Sequence, residues 1–295
     1  MVNSVSQTSY TSYLNGSLYT HTGNNRGAGQ TQHDLAKQNI SALMQVFGLQ
    51  TSYEDGTYWG HPYSNVVGIK PGLTDPGRIL VLGAHYDSVN NPGADDDASG
   101  VAGMLEAARV LSPYQFASTL VFIAFDSEEL GLIGSKGYVY SHTSDKMAGM
   151  LQLDMIAYNN SAAQYHDQVA VFDARRNRFG AFKANLVNMV NTYGDGLTAL
   201  DAGFIGQSDH QSFDDINVPD GLFIEAGYDV NPYYHEAGDS VDTPSYIDYR
   251  FGTQITRAAV GWMANSAGDI PEPSCVVLFG AGLALVAFRR RRTAL

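Results

Sequence analysis

Three features of the sequence predict an α/β fold, a three-layer α/β/α domain with a mostly parallel central sheet. Short, almost wholly apolar runs alternate with amphipathic stretches along most of the chain. The runs lack the in–out alternation of a sheet with one wet face, so helices are expected on both faces. Finally, 44% apolar side chains in 295 residues suffice for the core of one large domain or two small ones.

The strand candidates are residues 66–69, 79–83, 119–125, 150–153, 169–172 and 221–225. Helical periodicity falls between them. Residues 32–47 carry Leu35, Ile40, Leu43, Val46 and Phe47. Residues 98–111 carry Val101, Met104, Leu105, Ala108 and Leu111, close to an i, i+3, i+4, i+7 stripe. Residues 179–193 and 246–264 complete the series. A β-α alternation of this kind favours parallel strands joined through helices. Residues 1–29, polar and rich in Tyr, Ser and Thr, read as a loose arm ahead of a folded domain at 30–267, with a linker and tail at 268–295.

Composition narrows the chemistry. A formal charge of -13 argues against nonspecific nucleic-acid binding, which needs Lys and Arg to displace counterions. A single cysteine, Cys275, excludes an intramolecular disulfide framework and a Cys-rich zinc module. Eight histidines and 30 carboxylates remain, the donor set of a hard or borderline metal.

The two ends differ in kind. No basic stretch followed by an apolar one opens the chain, so no signal peptide is visible there. At the other end Pro271-Glu272-Pro273-Ser274 leads into an uncharged run at 275–288, followed by Arg289 to Arg292. As a helix that run spans roughly 21 Å, short of the roughly 30 Å hydrocarbon core. A buried helix, a short membrane anchor and a processed signal all fit that length. Four arginines directly after it favour the last two, because arginines snorkel to anionic headgroups and leave a core abruptly.

The chemistry sits at strand ends, where open α/β sheets build sites. Strand 79–83 runs into Ala84-His85-Tyr86-Asp87, and the next loop holds Asp95-Asp96-Asp97 just before a helix. Strand 119–125 runs into Asp126-Ser127-Glu128-Glu129. Strand 150–153 ends at Asp154, and 221–225 is followed by Tyr233-Tyr234-His235. Each piece alone has an ordinary reading: an Asp run caps a helix, paired glutamates lie on surfaces, and a loop histidine is a satisfied polar group. Their joint occurrence points instead to a metal cluster, for zinc first and for manganese or cobalt as alternatives.

AHYDS at 84–88, GADDDASG at 93–100, FDSEELGLIGS at 125–135, LQLDM at 151–155 and YYHEAGDSVDT at 233–243 resemble, in order, the two-zinc aminopeptidases of metallopeptidase family 28. The resemblance implies the zinc aminopeptidase/phosphorylase-like fold, two Zn²⁺ per chain and a zinc peptidase catalytic domain over 30–267. It implies that His85 and Asp154 hold one zinc, Glu129 and His235 the other, and Asp96 bridges both. Glu128 becomes the general base, Asp87 a hydrogen-bond acceptor that orients His85, and Tyr234 a donor to the developing oxyanion. Ser208-Asp209-His210 is similar to a family segment and is expected to be structural or pocket-lining. Segments 201–207 and 228–232 are expected to shape the pocket for the substrate's first side chain. The tail, in turn, resembles the PEP-CTERM sorting signal. That implies export to the bacterial envelope or matrix, an exosortase acting on the tail, transient membrane association, and an export signal upstream of Met1 or trimmed from it.

The leading expectation is an exopeptidase that removes N-terminal residues from peptides with a free N-terminus. A carboxypeptidase of the same family would need a cation for the substrate carboxylate, and only Arg175, Arg176 and Arg178 cluster in mid-chain. A noncatalytic, surface-displayed binding module on the same fold would be expected to have lost ligands or the base, and all are in place. A serine hydrolase lacks its Gly-x-Ser-x-Gly elbow.

Overall fold

The protein's structure, a computed structural model, describes residues 1–175 and 178–268. The strands are β1 (Gln50–Tyr58), β2 (His61–Lys70), β3 (Asp75–His85), β4 (Ser118–Phe125), β5 (Lys146–Leu153), β6 (Gln168–Asp173), β7 (Thr198–Phe204) and β8 (Asp220–Glu225). They form one sheet in the order β1-β2-β4-β3-β5-β8-β6-β7. The four central strands β4, β3, β5 and β8 run parallel. Antiparallel pairing appears outside them, where β2 meets β4 and where β6 meets β8. The predicted sheet is therefore present, with a mixed margin on each side.

The central strands are buried on both faces, which explains their continuous apolar runs. Leu80, Leu82 and Ala84 of β3 and Leu120, Phe122 and Ala124 of β4 face one core. That core is closed by α1 (Gln7–Gly16), α2 (Thr31–Val46), α3 (Ala98–Leu111), α5 (Gly180–Tyr193) and α7 (Tyr249–Ala267). Val81, Val121, Ile123 and Phe125 face the other, a smaller core under α4 (Ile133–Ser141) and α6 (His210–Asp215). Each such leucine or phenylalanine contributes roughly 1.5–3 kcal/mol by leaving water. Helix α3 is buried almost all round, between the sheet on one side and α1 and α7 on the other.

Residues 1–29 do not form the loose arm their polarity suggests. Ser6 caps α1, its hydroxyl accepting from the Ser9 N–H at 3.3 Å. Tyr10 and Leu14, four apart on one face of α1, and Leu18 just past its end are buried against the main core. The buried Glu106 carboxylate fixes the start of the segment, accepting from the Ser6 N–H at 2.6 Å while pairing with Arg109. At the other terminus, the Gly268 carbonyl accepts from the Ala117 N–H at 2.8 Å, beside the first residue of β4. The described chain thus ends at the amino pole of the parallel strands. The tail features expected at 275–292 lie outside the described residues. No helix among the described residues is long and apolar enough to cross a membrane.

Candidate metal centre

The carboxyl pole gathers the predicted ligands, the predicted base and their two expected helpers, Asp87 and Tyr234. β3 ends on His85 and β5 on Leu153, next to Asp154; the turn after β4 carries Glu128 and Glu129; the loop after β8 carries Tyr234 and His235. His85, Asp96, Glu128, Glu129, Asp154, Tyr234 and His235 all line one pocket of about 420 Å³.

Asp96 lies between two histidines. Its Oδ1 is 3.2 Å from His85 Nε2, and its Oδ2 is 3.2 Å from His235 Nε2. His85 Nε2 is also 3.7 Å from Asp154 Oδ1, and His235 Nε2 is 3.3 Å from Glu129 Oε2. Ligands about 2.0–2.1 Å from a tetrahedral ion stand roughly 3.3 Å apart, so these spacings fit one ion per set. The donor chemistry fits as well. The buried Glu129 Oε1 has no hydrogen-bond partner, and buried carboxylates this close together need a cation.

Asp97 is also within ligating reach of His85 and Asp154. Its oxygens, however, are taken by the backbone. Oδ2 accepts from the His85 N–H at 3.0 Å, and Oδ1 accepts from the N–H groups of Gly100 at 2.9 Å and Met155 at 3.2 Å. Asp97 is thus the cap of α3 and ties three ligand-bearing segments together, while Asp96 keeps both oxygens for the pocket. Gly100 has to be glycine, because a Cβ there would collide with the Asp97 carboxylate and the Leu153 carbonyl.

Asp87 lies beneath the cluster. Its Oδ1 accepts from the Glu128 N–H at 3.0 Å and its Oδ2 from the Glu129 N–H at 3.2 Å. The same Oδ1 stands 3.5 Å from His85 Nδ1, which has no hydrogen-bond partner, so Asp87 fixes the Glu-Glu turn and lies beside the ring. Ser208 donates to Asp154 Oδ2 at 2.6 Å, which sets that segment against a predicted ligand. Buried Asp209 accepts from Gln152 at 3.1 Å, and His210 Nε2 donates to the Ile205 carbonyl at 2.8 Å. Asp239, which the sequence reading passed over, accepts from the N–H groups of Asp95 at 2.7 Å and Asp96 at 3.1 Å. Its position inside the 233–243 motif was the available signal.

Three residues of the pole adopt left-handed backbone without being glycine: Ser127 (φ 56°), Met155 (φ 51°) and His235 (φ 61°). Each costs on the order of 1 kcal/mol, and each is or adjoins a residue lining the pocket, a common setting for stored strain.

The charge state follows from burial and neighbours. Burial opposes the charged His85 ring, but Asp154, Asp87 and Asp96 outweigh it and raise its pKa. His235 is raised to about 10 by Asp96 and Glu129. Burial would raise Asp96, yet His235 and His85 hold it low. Burial, and then the neighbouring Asp96 charge, push Glu129 up to about 7. Glu128 lies well above the usual carboxylate range, chiefly through burial. These are the values set by the chain's own charges; a divalent cation favours the deprotonated ligands.

One pocket wall is apolar: Met155, Ile205, Leu222, Ile224 and Tyr228. Ile205 and Gln207 come from segment 201–207 and Tyr228 from 228–232, where the sequence placed the side-chain pocket. No Lys or Arg lines it among the described residues. Arg175 and Arg178 instead pair with Asp214, and Arg176 lies outside the described residues.

The fold defines an open α/β class of protein whose central parallel strands gather histidines and carboxylates around Asp96 at their carboxyl ends. The chain belongs to peptidase family M28, whose profile matches residues 65–260, and the PEP-CTERM protein-sorting motif matches residues 269–292. It is 31% identical over 225 residues to a probable leucine aminopeptidase 2 of Aspergillus oryzae, covering 67% of this chain and 44% of that protein. It is similar to a zinc aminopeptidase from Bacillus subtilis, with a TM-score of 0.60 and 26% identity over 72% of this chain and 52% of the other. The LapA aminopeptidase of Legionella pneumophila shares the fold, with a TM-score of 0.76 and 24% identity over 92% of this chain and 74% of the other. The chain spans about half the length of the curated relatives it matches.

Proposed function

We propose that this chain is a zinc-dependent aminopeptidase with a two-ion centre. His85 and Asp154 would hold one ion and Glu129 and His235 the other, with Asp96 shared between the two sets. The observation that carries this reading is the placement of Asp96, with one oxygen toward each histidine. When bound, such ions supply Lewis acidity to a carbonyl and lower the pKa of water.

The chain's own residues do the rest. Glu128 takes a proton from the attacking water as the C–O bond forms, and returns it to the amine nitrogen as the C–N bond breaks. A carboxylate raised by burial suits that exchange near neutral pH. Tyr234, whose ring centre lies 3.9 Å from that of His235, donates its hydroxyl proton toward the carbonyl oxygen as negative charge grows there. The apolar wall receives the first side chain, and the acidic rim suits a free α-amine rather than a carboxylate. The sorting motif supports export to the cell envelope, with the tail as the part an exosortase handles.

Metal analysis combined with a panel of aminoacyl p-nitroanilides tests the proposal. Near two zinc ions per chain and hydrolysis of leucine p-nitroanilide are expected. Equal cleavage of the N-acetylated substrate would overturn the aminopeptidase reading, and two ions without turnover would favour the binding-module alternative.

A further inference from the structure

Arg26 lies in the polar N-terminal segment, yet it is only 1% exposed. All of its recorded side-chain donors go to carbonyls of the loop that follows His85. Nε donates to Tyr86 O at 3.1 Å, Nη2 to Asp87 O at 3.4 Å, and Nη1 to Gly93 O at 2.7 Å and to Pro92 O. Its backbone N–H donates to Asn91 O at 3.2 Å. That loop is buried and has no ladder of its own, so its inward carbonyls need donors from elsewhere. Only a guanidinium offers five donors in one rigid plane.

The residues just before Arg26 grip the other ligand-bearing loop. Thr20 O accepts from Val241 N and from Ser240 Oγ, both at 3.1 Å. Asp242 accepts from Thr22 N at 2.9 Å and lies 2.9 Å from His21 Nδ1. The loop so held contains Asp239, which fixes the backbone of Asp95 and Asp96. Seven residues, 20–26, therefore join the loop leaving His85 to the loop leaving His235.

We propose that Arg26 is a positioning residue of the metal centre: the strap at 20–26 sets the separation of the two ligand sets, and the Arg26 fork fixes its His85 side. The inference rests on the two-ion reading above. It predicts that Arg26→Ala lowers Zn²⁺ affinity of the full chain by about tenfold to a hundredfold, the usual loss when support behind a ligand is removed. Affinity is read by competition of the apo protein with a chromophoric chelator, without substrate. Millimolar guanidinium should refill the vacated space and restore much of the affinity, which a general loss of stability would not allow. Ser6→Ala, which uncaps α1 in the same segment far from the centre, should lower the melting temperature and leave affinity unchanged. If Arg26→Ala does not fold, Arg26→Lys keeps charge and length but loses the fork, and should still bind Zn²⁺ at least several-fold more weakly.

Wild-type affinity in whichever Arg26 variant folds would overturn the proposal while leaving the two-ion reading intact. Two tightly bound ions without peptidase activity would overturn the functional reading and leave Arg26 in place. A wild-type chain that binds no zinc would overturn both.

Discussion

Two of the groups of buried carboxylates at this sheet are treated differently by the chain. At the β6–α5 margin, Lys183 is 2.7 Å from Asp201 and 3.5 Å from the fully buried Asp173. Nearby, Arg178 and Arg175 lie 3.2 Å and 3.0 Å from the buried Asp214. This group is neutralised by lysine and arginine from the chain itself. At the carboxyl pole, His85 and His235 are the only basic side chains, among the described residues, within 4 Å of the Asp96, Glu128, Glu129 and Asp154 carboxylates. The same sequence thus closes one acidic group with its own lysine and arginines, while the other meets histidines and is the group proposed above to take a cation from outside. Burial of acids does not mark a metal centre; the choice of counter-charge does.

Chelation is the sharpest way to break this contrast. Removing metal should abolish activity and lower the melting temperature, and zinc should restore both; a chelator-insensitive hydrolase would remove the external cation from the account. Asp96→Asn should lower zinc content per chain, measured by atomic absorption. Next in size, Glu128→Gln should retain metal and lose at least ~100-fold in kcat, because it removes a proton carrier and no ligand.

The margin should answer in stability rather than chemistry. Lys183→Met leaves Asp173 buried without its cation and should cost about 3 kcal/mol in denaturant unfolding, with kcat per folded molecule unchanged. The smallest effect belongs to His142, whose pKa is raised to about 9 by Glu54 first, with Asp145 helping against burial. A raised histidine stabilises the fold fully below its ordinary pKa of about 6.5, and that contribution disappears as pH rises through 9. The melting temperatures of wild type and His142→Gln should therefore differ below pH 6.5 and converge above pH 9.

The contrast also explains what the sequence made legible. β3, β4, β5 and β8 are covered on both faces, so each carries a continuous apolar run; β3 ends on His85 and β5 beside Asp154. β1, QTSYEDGTY, is an edge strand with mostly exposed or half-exposed positions, and β7, TALDAGF, lies at the opposite edge with no buried position. Neither has an apolar run to read. α4 contains Gly134 and Gly137, poor helix formers, and at Gly137 any Cβ would strike the Tyr63 ring. Its helical form is set by tertiary packing. The metal cluster was readable because its ligands come in compact motifs. Arg26 was not, because its partners are about 60 residues away and are carbonyls, which every residue has. The buried Tyr10, Leu14 and Leu18 spacing was present in the N-terminal segment but was outweighed by its polar composition.

The exit of the chain at Gly268, beside Ala117, carries one more consequence. β4 runs eight residues from there to the turn bearing Glu128, roughly 25 Å along the strand. The last described residue therefore stands a full strand length from the candidate metal centre. The pocket lined by His85, Asp96 and Asp154 lies at the other pole of the same strands, so a probe placed at Gly268 would report from one strand length away.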